Sequence, residues 1–144
     1  MRKWLVVHEA ILIILAGVVF LRIPSLFEPY WYGDEGIYLT VGRAMRQGVE
    51  LYRGVHDNKP PLIYTLAAVA DGWQFWFKFI LMLWSVATVA VFWNVSRYRI
   101  WPTVIFALLT TLPLLEGNIA NAEVFFLLVT VGAFGRVWKG GSLK

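Results

Sequence analysis

The sequence predicts an all-α integral membrane protein with about four transmembrane helices and a long outer loop carrying interfacial helices. Three observations lead there. Hydrophobic residues make up 59% of the 144 and charged residues 15%, at a mean hydropathy of +0.64, a balance that lipid solvates better than water does. Four apolar runs approach the roughly 20 residues a helix needs to cross about 30 Å of hydrocarbon. The Lys and Arg residues stand at the ends of those runs instead of along one face, which reads as membrane topology and not as a nucleic-acid surface, despite a net charge of +4.

The first run, residues 5–21, follows Arg2 and Lys3 as a signal peptide would. Arg22-Ile23-Pro24 stands where a small-residue cleavage site belongs, so an uncleaved span is expected. Later runs cover 75–95, 100–115 and 122–137, the last two being short. With four passes, Arg2/Lys3, Arg97/Arg99 and Arg136/Lys139/Lys144 fall on one side, the cytoplasmic one. That predicts a multi-pass protein of the cell membrane, plasma or inner, with both termini cytoplasmic. Trp4, Trp93, Trp101 and Trp138 mark inner ends and Trp73 and Trp76 an outer end, as amphipathic rings at headgroup depth should. Trp84, near mid-span, is assigned to packing. His8 and Glu9 are expected to reach the inner interface and Lys78 to snorkel to the outer one.

Residues 22–74 form the outer loop, which holds most of the acidic residues. Within it, 36–47 puts Ile37, Tyr38, Val41, Ala44 and Met45 on one helical face and Arg43, Arg46 and Gln47 on another. Such a helix would lie on the membrane surface. Residues 61–70 are apolar but half a span long, which suits a second helix in or dipping into the outer leaflet.

Three polar clusters can carry chemistry. Asp34-Glu35, opening the 36–47 helix, would feel its positive end and stay ionised, available as a base or a metal ligand; Asp is equally a favoured N-cap. His56-Asp57-Asn58-Lys59 precedes Pro60-Pro61, which can start a helix but not continue one, so these polar side chains are held at the membrane surface. Lys59 can act as a point charge on a lipid phosphate, or simply snorkel. His56 with Asp57 can help hold a divalent metal, although two adjacent residues rarely make a site. Glu116-Gly117-Asn118-Ile119-Ala120-Asn121-Ala122-Glu123 forms the turn before the last span. There Asn118 or Asn121 can cap the helix, with Glu123 in its first turn, or the turn faces Asp34 across an outward cavity. The chain has no cysteine, which excludes disulfides, thiol nucleophiles and Cys-ligated zinc. Asn94-Val95-Ser96 fits the glycosylation sequon but falls on the cytoplasmic side.

One span, then Gly33-Asp34-Glu35 opening an amphipathic helix, then Asp57-Asn58-Lys59-Pro60-Pro61-Leu62-Ile63-Tyr64, then further spans, resembles the GT-C glycosyltransferases, nearest their protein mannosyltransferase and aminoarabinose transferase branch. The resemblance implies transfer of a sugar from a polyprenyl-phosphate donor to a lipid, protein or polysaccharide hydroxyl at the outer face, with inversion. It implies that Asp34, with Glu35 beside it, is the base or acceptor-positioning carboxylate. Lys59 then lies near the donor phosphate, with Asn58, Asp57, His56, Asn121 and Glu123 in the substrate groove and Glu116 the alternative to Glu123. Family members are considerably longer, so residues 1–144 match the N-terminal part of such a membrane domain. They are expected to be inactive alone, as the front of a longer chain or beside a partner chain that completes the fold.

Two other classes compete. A small four-span transporter subunit would carry ionisable groups near mid-membrane, and the central thirds of these spans carry none. A non-catalytic accessory protein that binds polyprenyl phosphate fits the short length.

Overall fold

The computed structural model describes residues 2–29 and 32–138, and is helical, with no strand among the described residues. Six α-helices follow one another: α1 (Arg2–Arg22), α2 (Gly33–Arg46), α3 (Pro61–Val69), α4 (Gln74–Val95), α5 (Ile100–Leu109) and α6 (Ala122–Trp138). The expected inner-face markers Lys139 and Lys144 lie outside the described residues, as do the side chains of Arg2, Lys3 and Trp4.

His8–Phe27 and Gln74–Val95 are long and apolar enough to cross a membrane. In their most apolar windows 17% and 39% of the residues are buried by the rest of the chain. The run at 100–115 does not form one helix. Helix α5 ends at Leu109, roughly 15 Å after it starts, and Pro113 begins a separate 3-10 turn, Pro113–Leu115. The cause is local. Proline has no N–H to continue the helical ladder and holds the preceding Leu112 extended, at φ −68° and ψ 137°.

The helices alternate in direction. The end of α1, the start of α4, the end of α5 and the start of α6 meet at one level. Arg22, 1% exposed, donates from Nη2 to the Thr110 carbonyl at 2.9 Å, and Lys78 donates to the Asn118 carbonyl at 2.8 Å. At the opposite level Gly135 of α6 lies against Val95 of α4 with no room for a side chain between them, and the Ser96 and Thr103 hydroxyls are 3.1 Å apart.

The larger core joins α2, α3, α4 and α6 through Tyr38, Leu39, Ile63, Tyr64, Phe77 and Phe125. Phe77 stacks on Phe125 with ring centroids 5.7 Å apart. Trp84 does more than pack, because its indole N–H donates to the Phe125 carbonyl at 2.8 Å. A smaller core of Val18, Val89 and Ala107 joins α1, α4 and α5. Helix α2 presses its buried face on α3: a Cβ on Gly42 would lie 2.6 Å from the Ala67 carbonyl carbon. The buried face is Tyr38, Leu39, Val41 and Gly42, while Ile37, expected on it, is 46% exposed. Starting the helix at Gly33 and docking it on α3, not on a flat surface, turns the face by about one residue.

Candidate functional site

Two polar layers lie where the helix ends meet. The inner layer is a closed ion pair. Lys78, in the second turn of α4, and Glu35, in the first turn of α2, are both 1% exposed, with Nζ to Oε1 at 2.7 Å. Glu35 also accepts a short hydrogen bond from the Ala120 amide. Glu28 completes the group, 3.6 Å from Lys78, and its two oxygens accept from Asn118 Nδ2 at 3.0 and 2.9 Å. The expectation that Lys78 snorkels outward is therefore wrong. Two carboxylates and a carbonyl inside the protein hold the ammonium better than a stretched side chain could, and burial without them would cost several kcal/mol. Asn118 likewise serves Glu28 and does not cap α6.

Helix α2 starts earlier than expected. Tyr32 is its N-cap residue, with no side-chain capping hydrogen bond, and Asp34 and Glu35 occupy its first turn. Asp34 is therefore not the cap. One residue apart on a helix, the two carboxylates point in different directions: Glu35 inward to Lys78, Asp34 to the half-buried outer layer.

That outer layer gathers residues from three segments. Lys59 pairs with Glu123 across 3.1 Å. Tyr38 directs its hydroxyl at Asp34 Oδ2, at 3.4 Å, a long hydrogen bond. The Lys59 ammonium is held above its ordinary pKa, first by the hydrogen bond to Glu123 and then by the charges of Glu123, Asp34 and Asp57. Tyr38 is held above the ordinary phenol value by burial, then by Asp34 and Glu123. Tyr32 moves the same way, through burial and then Glu116, Asp34 and Glu123. Asp34, Asp57 and Glu123 thus make a negative field around one lysine. Beside it an open groove of about 270 Å³ is lined by Glu116, Gly117, Asn121, Glu123 and Leu127 among others.

Asn121 caps α6, accepting the Val124 amide at 3.2 Å. Asp57 is engaged on both oxygens, by the Asn58 amide at 2.8 Å and the Tyr64 hydroxyl at 2.7 Å. His56 lies edge-on to Tyr52, with ring centroids 6.1 Å apart. These two residues shape the loop and do not converge on a common point with a third ligand. Among the described residues no three His, Asp or Glu side chains are grouped to hold a metal ion, so the residues present do not fit a protein-held divalent metal.

Sequence reasoning passed over two tyrosines. Tyr64 accepts the Lys59 amide at 3.0 Å, and Tyr52 donates to the Lys59 carbonyl at 2.7 Å. Tyr52 sits at φ +67°, a left-handed conformation that costs about 1 kcal/mol or more outside glycine. The available signal was the spacing of Asp57, Lys59 and Tyr64 around two prolines.

Comparison with protein-family models, with curated proteins and with solved structures finds no match.

Proposed function

We propose that this chain is a multi-pass protein of the cell membrane with both termini cytoplasmic, and that it belongs to an outward-facing glycosyltransferase of the GT-C type. The reaction is transfer of a sugar from a polyprenyl phosphate to an acceptor hydroxyl. The observation that carries the reading is the meeting of Asp34, Lys59 and Glu123, from the two motifs of the outer loop and the turn before α6, in one partly exposed patch.

In this reading Asp34, in the first turn of α2, accepts the proton of the attacking hydroxyl. Lys59 offsets the charge growing on the departing phosphate. Glu123 holds the ammonium in place until the phosphate arrives. Glu35 is one residue from the base and has a different task, anchoring the helix that carries it. The α6 turn supplies Glu116 and Asn121 at the groove edge for the acceptor or the sugar.

Helices α1 and α4 cross the bilayer, α6 crosses with slight local thinning, and α5 enters as a half-span followed by its 3-10 turn. Just after the 3-10 turn the chain folds back, and Gly117 packs directly on the backbone of Thr110 and Thr111.

The test uses a radiolabelled polyprenyl phosphate bound to the detergent-solubilised chain, together with sugar transfer by membranes containing it. Asp34→Asn is expected to abolish transfer and keep lipid binding, while Lys59→Ala weakens binding. Lipid binding by the wild type with no transfer in any membrane preparation would favour an accessory lipid-binding protein instead. No preference for the phosphate over the matching alcohol would reject both.

A further inference from the structure

We propose that Tyr64, assisted by Tyr52, is the positioning residue that holds Lys59 where it meets an anionic headgroup. The inference rests on the reading above that Lys59 faces a phosphate. Tyr64 is the fourth residue of α3, which begins at Pro61. Helical side chains lean toward the N-terminus, so its ring reaches back over the start of the helix to the residues before Pro60. The hydroxyl then works in both directions, accepting the Lys59 amide at 3.0 Å and donating to Asp57 Oδ2 at 2.7 Å.

Tyr52 completes the grip by donating to the Lys59 carbonyl at 2.7 Å. Both backbone groups of Lys59 are therefore held by phenols. The phenols steady each other, with the Tyr64 ring 6.4 Å from Tyr52 and 5.9 Å from Tyr38, edge to face in both cases. Because Pro60 and Pro61 offer no N–H, no regular ladder could fix this stretch, and without the tyrosines the Lys59 backbone would turn to water. With them, the side chain starts from a fixed point and its ammonium reaches Glu123. Asp57 earns its place in the motif by orienting Tyr64, not by touching substrate.

The experiment compares wild type, Tyr64→Phe, Tyr52→Phe, Lys59→Ala and Lys59→Ala/Tyr64→Phe in detergent, against a polyprenyl phosphate and the matching uncharged polyprenol. Tyr64→Phe keeps the ring and removes the hydroxyl. Its expected effect is about a tenfold loss of affinity for the phosphate, the scale of one lost hydrogen-bond linkage, with polyprenol binding unchanged and no further loss when added to Lys59→Ala. Equal losses for both lipids, or additive losses with Lys59→Ala, would overturn the positioning role. A second readout needs no lipid: in an NMR titration of the Lys59 ammonium, Tyr64→Phe should return it toward ordinary lysine behaviour as the Glu123 contact loosens. An unchanged titration would overturn the proposal by itself. If the wild type fails to prefer the phosphate, the functional reading falls while the titration still decides the grip. Should Tyr64→Phe not fold, Tyr52→Phe, at a 43% exposed position, carries both measurements.

Discussion

Lys78 and Glu35 are bonded across 2.7 Å with neither side chain reaching solvent, and this pair ties the first turn of α2 to the second turn of α4. Removing one partner strands the other charge inside the protein. Lys78→Met is therefore expected to cost roughly 3–5 kcal/mol, read as loss of equilibrium stability in mixed detergent micelles. A loss below about 1 kcal/mol, the range of exposed pairs, would mean that the pair is open to water.

Neighbouring carboxylates on α2 should separate cleanly by phenotype. Asp34→Asn is expected to leave the unfolding midpoint within the range of ordinary surface changes, about 0.5 kcal/mol. Glu35→Ala should lower it as Lys78→Met does. Parallel unfolding curves for the two variants decide this, and a collapse of Asp34→Asn would reassign that residue to the scaffold.

The contact of α2 with α3 has no spare room at Gly42, whose added Cβ would meet the Ala67 backbone at 2.6 Å. Gly42→Leu should force the helices apart at about 1–3 kcal/mol, outweighing the roughly 1 kcal/mol that losing a helical glycine returns. Faster hydrogen exchange along 33–46, with 74–95 unaffected, is the signature to look for.

Tyr64 is pushed up to about 12, first by burial and then by its hydrogen bond to Asp57. A phenol whose folded value is raised favours the fold while protonated. Its contribution is complete below the ordinary phenol value near 10 and is lost as pH rises toward about 12. Ultraviolet titration should show phenolate from the exposed tyrosines first, with the Tyr64 share delayed. Tyr64→Phe should remove one tyrosine's share of the late signal and leave the share of Tyr38, which is also held above the ordinary phenol value.

Lys59 and Glu123 form a partly exposed pair, at 28% and 68% side-chain exposure, so its contribution to stability is small. Glu123→Gln is expected to leave unfolding unchanged and to raise affinity for a phosphate-bearing lipid a few fold, because a competing anion is gone. Reduced affinity would mean that Glu123 touches the ligand itself.

What could be read from the residues was whatever depends on local pattern. The apolar run at 75–95 became α4 to within a residue, 122–137 became α6, and the Pro-Pro start of α3 was visible because proline fits the first helical turn. Non-local choices were hidden. The periodic pattern covered 36–47, yet α2 begins at Gly33, since the docking of Glu35 on Lys78 rewards an earlier start. Lys78 looked like an interfacial lysine because nothing in its own helix announces that Glu28 and Asn118 enclose it. Asp34, Lys59 and Glu123 were singled out one by one, and only the packing of both α3 and α6 on α4 could bring two of them into contact.

The inner ion pair also sets a timetable. Glu28 and Glu35 are synthesised long before their partners: the amide that Glu35 accepts lies 85 residues later and the amide nitrogen that binds Glu28 lies 90 residues later. At roughly 5–20 residues per second, the two carboxylates wait about 4–18 s for the turn that encloses them. During that interval neither carboxylate has the partner that encloses it in the fold. Lys78 arrives midway with only part of its cage built, before Asn118 and Ala120 exist. The turn before α6 is thus the last part of the cage to be made, and until it is made three charges lack their enclosure.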